Sequence, residues 1–262
     1  MASSACLSVL DLALHFGGLR AVDGVSFTIA PGAIHGLIGP NGAGKTTIFN
    51  CVTGFYRPSS GSIRFLEHDI TYCRPDQVAR LGIARTFQNV QLFASLSVLD
   101  NVLVAKHSHM RTGVLAEGLA LPFVRTQERA MRAKAEEILA FLGLFEIRRQ
   151  PAASLPLGFQ KRLEMARALA LEPRLLLLDE PASGLNTSET KALGEMLGRI
   201  RDRFALTILL VEHDMGLVMT ISESITVVNF GRKIAEGPPA AVHSDPEVIK
   251  AYLGENSGVD AR

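Results

Sequence analysis

Apolar and polar residues alternate from Val9 to Leu14 within the stretch LSVLDLALHF, the period-two pattern of a strand with one buried face. Gly17-Gly18 then turns the chain, and Val25–Ile29 (VSFTI) reads as a second strand closed by Pro31-Gly32. Ser62–Leu66 (SIRFL) reads as a third, after the turn-rich stretch Arg57–Gly61. Together these predict an antiparallel sheet. Three other stretches lose the alternation: the run holding Ile34, Leu37 and Ile38, the run Leu175–Leu178, and Leu206–Val211 (LTILLV). Four leucines in a row cannot serve a strand with one wet face; they suit a central parallel strand covered on both sides. From Leu96 to Gly143 the pattern becomes helical. Met131, Ala135, Ile138, Leu139 and Leu142 fall on one helix face. Arg125, Glu128, Arg129, Arg132, Lys134, Glu136 and Glu137 fall on the other and predict a solvated surface. The pattern as a whole predicts an α/β core flanked by an antiparallel sheet and carrying a mainly helical insert.

At 262 residues the chain is long enough to bury a full α/β core. Its 27 Lys and Arg against 26 Asp and Glu give no basic footprint for nucleic acid, so no nucleic-acid partner is expected. Cys6, Cys51 and Cys73 form no CxxC pair and read as reduced thiols of a cytosolic protein. No Lys or Arg precedes Arg20, so a signal-peptide n-region is not expected. The longest apolar runs, Leu175–Leu178 and Phe204–Val211, are too short to span a bilayer. Any service to a membrane is therefore expected from outside the lipid. His107 and His109 have an H-x-H spacing without a neighbouring Cys or carboxylate, which suits an exposed loop better than a metal site.

The chemistry enters between the strand at Ile34–Ile38 and the helix expected after it. Gly39-Pro40-Asn41-Gly42-Ala43-Gly44-Lys45-Thr46 is G-x-x-x-x-G-K-T, the phosphate-binding loop in the strand–loop–helix setting the motif requires. Gly42 and Gly44 allow backbone conformations closed to residues with a Cβ. The amides from Asn41 to Thr46 can then turn toward phosphate oxygens, and the helix start at Thr46 and Thr47 adds free N–H groups and a positive dipole end. Lys45 is expected to reach the β- and γ-phosphates and Thr46 to offer its hydroxyl to Mg²⁺.

Ligands of open α/β sheets sit beyond the C-terminal ends of the strands. Asp179 and Glu180 end the leucine strand there. Asp179 is expected to serve the metal through a water, and Glu180 to act as general base on the attacking water. His213 follows the strand Leu206–Val211 and lands on the same edge, where an imidazole can hold that water and sense the γ-phosphate. Gln88, after the short run Gly82–Phe87, can bind Mg²⁺ or the water through its amide and carry the state of the site outward. Phe16, just before the glycine turn, either stacks on a base or faces the core.

These residues give the chain a resemblance to ATP-binding cassette (ABC) ATPases that covers nearly all of it. Gly39–Thr46 matches the Walker A loop, Gln88 in RTFQNVQLF the glutamine loop, LLLLDE the Walker B strand, His213 the switch histidine and Phe16 the adenine-stacking aromatic. The family's signature segment falls at Leu155-Pro156-Leu157-Gly158-Phe159-Gln160, before the helical stretch KRLEMARALALEP. The resemblance implies one ABC ATPase domain over residues 1–262, with the P-loop NTPase fold. Within it, 1–33 and 60–75 would form an antiparallel β subdomain, 92–170 a helical subdomain with the signature, and the remainder a mostly parallel nucleotide-binding core. It implies ATP and Mg²⁺ as cofactors.

ARLGIARTFQNVQLFASLSVLDNVLVA and the tail GRKIAEGPPAAVHSDPEVIKAYLG narrow the likeness to the ATPases of bacterial branched-chain amino acid uptake. That subfamily implies a second ABC ATPase, identical or related, two transmembrane permease subunits, and an extracytoplasmic solute-binding protein acting through them. It places the chain in the cytoplasm, peripheral on the inner face of the cell membrane. The signature departs from the common LSGGQ: Pro156 stands at the Ser position and Phe159 at the Gln position, and Asn186 stands where Asp is frequent. Proline offers no hydroxyl and no N–H. A regulatory nucleotide-binding subunit with one weakened site, or a subunit of another amino acid or amide importer, is therefore the second reading. ABC ATPases of DNA or translation usually carry a coiled-coil insertion or two cassettes, and this chain has neither.

Overall fold

The computed structural model describes residues 5–86, 91–107 and 122–256; Gln88 and His109, both singled out above, lie outside them. The chain forms two compact units, one from Met1–Arg85 and Arg174–Arg262, the other Thr86–Pro173.

The first unit holds two sheets. In the four-stranded one, β1 (Leu7–Phe16), β2 (Leu19–Ile29), β4 (Ser60–Phe65) and β5 (His68–Asp69) lie in the order β2-β1-β4-β5, every pair antiparallel. Leu7, Val9, Leu12 and Leu14 of β1 are buried with Val25, Phe27, Ile29, Ile63 and Phe65, but the expected alternation is not kept from Val9 to Leu14, where Leu10 is exposed and Ala13 buried. β2 begins at Leu19 rather than at the expected Val25. Gly24, with φ +73°, and Asp11, with φ +46°, sit where the β1–β2 register shifts, and such a bulge breaks the alternation by which a strand is read.

The six-stranded sheet has the order β10-β9-β3-β8-β7-β6. β3 (Ile34–Ile38), β6 (Ile83–Arg85), β7 (Leu175–Asp179), β8 (Thr207–Val211) and β9 (Ser224–Asn229) run parallel, and β10 (Arg232–Gly237) closes one edge antiparallel to β9. Every residue of β3, β7 and β8 is buried, as continuous apolar runs demand of strands covered on both faces. Helices α1 (Lys45–Val52), α2 (Pro75–Arg80), α6 (Thr187–Phe204), α7 (Met215–Ile221), α8 (Pro239–His243) and α9 (Pro246–Asn256) complete this unit. Asn186 caps α6. Its side chain accepts from the Glu189 amide at 3.0 Å, and Glu189 accepts from the Asn186 amide at 2.9 Å, a reciprocal capping box.

In the second unit α3 (Val98–His107), α4 (Pro122–Phe141) and α5 (Leu157–Ala170) pack on one another. The α4 stripe Met131, Ala135, Ile138 and Leu139, with Leu142 beyond it, is buried, while Glu128, Arg129, Arg132, Lys134 and Glu137 are exposed. Lys106 and Lys134 meet at Glu172, at 2.8 and 2.7 Å, and their hydrogen bonds hold its carboxyl down to about 2.

Candidate active site

The parallel register puts the ends of three strands in one row. Leu37 of β3 pairs with Val211 of β8, and Val211 pairs with Asp179 of β7. The chain leaves the sheet at or just past that row: after Ile38 of β3 into the loop from Gly39, after Val211 into Glu212-His213, and after Asp179 into Glu180. Side chains far apart in sequence therefore emerge at one edge of one sheet.

Two glycines of the loop, Gly39 and Gly44, stand where no side chain fits. Gly39 has φ +152°, and a Cβ there would stand 2.0 Å from the Val228 carbonyl oxygen. Gly44 has φ +103°, and its Cβ would stand 2.6 Å from the Ala21 carbonyl oxygen. The loop is thus seated directly on the backbones of β9 and β2. Gly231, in the turn between β9 and β10, donates its N–H to the Ala43 carbonyl at 3.0 Å and so ties that hairpin to the loop. Lys45 is buried and donates to the carbonyls of Gly39 at 2.6 Å and Pro40 at 2.9 Å, which lays its ammonium across the loop. Thr46 is exposed at the helix start and Thr47 half-buried.

A cleft of about 430 Å³ opens over this loop, lined by Asn41, Gly42, Ala43, Gly44, Lys45, Thr46 and Thr47, by Glu180, and by Phe16, Leu19, Arg20, Ala21, Phe230 and Gly231. Phe16 is 48% exposed and meets the Tyr56 ring edge-on at 5.4 Å, so it does not face the core. Its ring is an apolar wall of the cleft that opens over the glycine loop.

Asp179 is buried, and its Oδ2 accepts from the Arg85 guanidinium at 2.7 Å. Arg85 also donates to Asn50 Oδ1 at 2.6 Å and lies over the Phe49 ring at 5.5 Å. Glu180 departs from strand geometry. Its φ is +48°, so strict alternation does not set its direction; its N–H donates to the Val211 carbonyl at 2.8 Å instead. His213 is exposed, with Nδ1 3.9 Å from a Glu180 carboxylate oxygen and 3.9 Å from a Glu212 one. Glu212 is fully buried and accepts from the amides of Ala182, His213 and Asp214; burial raises its pKa, and those bonds oppose the rise.

The donors present fit one kind of metal site. Among the described residues no group of three or more His, Cys, Asp and Glu could hold an ion. Mg²⁺ bound to a nucleotide needs no such cage, because phosphate oxygens and waters complete its shell beside one carboxylate or hydroxyl. Thr46, with a hydroxyl on the cleft, and Asp179, with a carboxylate at the end of β7, carry donors of that kind.

The segment Leu155–Gln160 lies in the second unit, at the start of α5. Pro156 is the N-cap and makes no side-chain cap bond; its carbonyl accepts from the Phe159 and Gln160 amides at 2.9 and 3.0 Å. Gln160 donates its side-chain N–H to the Leu155 carbonyl at 2.8 Å, Leu157 and Phe159 are exposed, and Gly158 is half-buried. Arg85, Glu212 and Phe230 are site residues that the sequence reading missed. Glu212 stands beside the singled-out His213, and a charged residue directly after the apolar run Ile208–Val211 was the available signal.

A family model described as ABC transporter matches residues 22–183, and one described as Branched-chain amino acid ATP-binding cassette transporter matches 232–257. The chain is similar to the high-affinity branched-chain amino acid transport ATP-binding protein LivG of Escherichia coli. The two are 46% identical over 253 residues, which span 97% of this chain and 99% of that protein. It is 45% identical to BraF of Pseudomonas aeruginosa, another such ATP-binding protein, over 95% of this chain and 98% of that one. Among solved structures it resembles an ATP-binding cassette of an ABC transporter in its ADP conformation. The TM-score is 0.84 at 31% identity, covering 95% of this chain and 99% of that one.

Proposed function

This chain belongs to the ABC transporter family, and on that premise we propose that it is the ATP-hydrolysing subunit of an importer for branched-chain amino acids. The observation that carries the reading is the row Leu37–Val211–Asp179, from which the glycine loop, Glu180 and His213 all leave the sheet. The likeness to LivG and BraF along nearly the whole chain supports the solute class.

In this reading the amides from Asn41 to Thr47 and the Lys45 ammonium hold the triphosphate, and Phe16 stacks on the adenine. Thr46, Asp179 through a water, and Gln88 are the residues that would hold Mg²⁺, which would supply neutralisation of the phosphate charge. Glu180 takes the proton of the attacking water, and His213 holds that water and registers the γ-phosphate. A single loop leaves one side of the γ-phosphate open. A second ATPase subunit covers it with its own signature helix, and Leu155, Pro156, Leu157, Gly158, Phe159 and Gln160 of this chain do the same for the nucleotide of that partner. The positive end of the α5 dipole supplies the attraction, and with Pro156 at the Ser position a hydroxyl is missing from it. Loss of the shared γ-phosphate loosens the pair, a switch driven by phosphate contacts. Two membrane permeases transmit that change, a solute-binding protein delivers the cargo outside, and this chain works on the inner face of the cell membrane. No described helix is long and apolar enough to cross a membrane.

The test is reconstitution of the chain with its permeases and binding protein in liposomes. ATP inside and leucine outside should give uptake that Lys45→Ala abolishes by weakening nucleotide binding. ATP hydrolysis without uptake of leucine, isoleucine or valine would overturn the solute assignment; absence of nucleotide binding would overturn the whole reading.

A further inference from the structure

Glu212 has no part in the chemistry just described, yet its carboxylate joins the two loops that carry it. The side chain is fully buried. It accepts from the Ala182 amide at 2.6 Å, two residues beyond Glu180, and from the His213 and Asp214 amides at 3.1 and 3.4 Å. The Glu180 amide meanwhile donates to the Val211 carbonyl at 2.8 Å, next to Glu212 in the chain. Glu180 is therefore bracketed on both sides by bonds to the end of β8. That bracket surrounds a non-glycine residue at φ +48°, a conformation that persists only where the neighbouring structure over-determines it. On the other arm, the bonds to His213 and Asp214 fix the start of the loop that precedes α7, which Asp214 caps through the Leu217 amide at 2.9 Å.

From this we infer that Glu212 is a positioning residue for hydrolysis: its buried carboxylate locks the Glu180 segment and the His213 loop into one unit and so sets the placement of the water-activating groups. The inference rests on the reading of Glu180 and His213 given above. A carboxylate suits the task because it has acceptor sites for several amides and no proton to offer. Glutamine keeps one acceptor oxygen but points an NH₂ group at the remaining N–H donors. Alanine removes every bond. A displacement of about 1 Å at a reacting group can cost on the order of a hundredfold in rate. Nucleotide affinity belongs to the glycine loop and Lys45, which Glu212 does not touch.

The experiment compares wild type, Glu212→Gln and Glu212→Ala by single-turnover ATP hydrolysis, by equilibrium binding of ATP, and by amide hydrogen exchange over 180–186 and 211–216. The expected order of hydrolysis rate is wild type, then Gln, then Ala, with Ala at least tenfold below wild type. ATP Kd should stay within about twofold throughout, and exchange should accelerate in both segments together. An unchanged rate in Glu212→Ala overturns the inference, as does a parallel loss of rate and affinity, which marks a general structural role. If Glu212→Ala does not fold, Glu212→Gln decides on the same criteria. Glu180→Gln and Lys45→Ala run alongside: if they leave hydrolysis and binding intact, the parent reading fails, whatever Glu212 does.

Discussion

Replacing Arg85 by methionine removes the cation that the buried Asp179 carboxylate meets among the described residues. The pair is 2.7 Å apart, and the two side chains are 10% and 7% exposed. Methionine keeps the length of the stem and its packing near Phe49 but removes the guanidinium, leaving a carboxylate out of water without its partner. Breaking such a pair from one side costs about 3–5 kcal/mol, because the surviving charge is uncompensated. Loss of the bond to Asn50 adds to that cost. For a chain of this size each kcal/mol moves the melting temperature by roughly 2–4 °C, so the variant should melt roughly 6–20 °C below wild type. The assay is urea denaturation of Arg85→Met, Asp179→Asn and the double variant. The double variant should be more stable than Arg85→Met alone, since Asp179→Asn removes the stranded charge, with a coupling of about 1–3 kcal/mol. A cost below about 1 kcal/mol for Arg85→Met, or strictly additive single effects, would refute the account of this pair.

Gly44→Ala should abolish nucleotide binding and destabilise the fold more than Gly42→Ala, because a Cβ at 44 meets the Ala21 carbonyl at 2.6 Å whereas one at 42 meets nothing within 4 Å; equal costs in thermal unfolding would contradict this. His35 is buried against Thr226 and the Phe27 ring, and burial pushes its pKa down to about 4, so the folded state refuses a proton that the unfolded state accepts near 6.5. Its contribution to stability is present above pH 6.5 and is lost on acidification toward pH 4, on the order of 3 kcal/mol in all; His35→Gln should flatten denaturation curves measured across that window, and an unaltered slope would count against the assignment. Pro156→Ser introduces an N-cap hydroxyl and should stabilise α5 by about 0.5–1 kcal/mol. In the assembled transporter it should also lower the ATP concentration needed for half-maximal turnover, and no change in either quantity would show that Pro156 is not a weak point of the signature.

The leucine run at Leu175–Leu178 and the helical stripe from Met131 to Leu142 are buried as their patterns require, whereas within Val9–Leu14 the strand was found but not its faces, since Leu10 is exposed and Ala13 buried. Periodicity reports burial directly, so those elements were legible. The bulges at Asp11 and Gly24 hid the first half of β2, because a bulge changes register without changing composition. The β9–β10 hairpin went unread, and with it Phe230, on the rim of the cleft. The loop residues could be named from spacing because the motif is contiguous, although the carbonyls that forbid a Cβ at Gly39 and Gly44, those of Val228 and Ala21, lie elsewhere in the chain. Arg85 and Glu212 act through partners 94 and 30 residues away. No local pattern encodes such a pairing, and only the sheet register, which puts Val211 beside Asp179, makes it visible.

The central claim is that Glu180, leaving the sheet beside the glycine loop, activates the water that attacks bound ATP. Single-turnover hydrolysis by Glu180→Gln, set beside its equilibrium affinity for ATP, addresses that claim most directly. The account predicts an unchanged Kd and a hydrolysis rate lower by on the order of a hundredfold or more; hydrolysis within a fewfold of wild type, or a loss of affinity as large as the loss of rate, would contradict it.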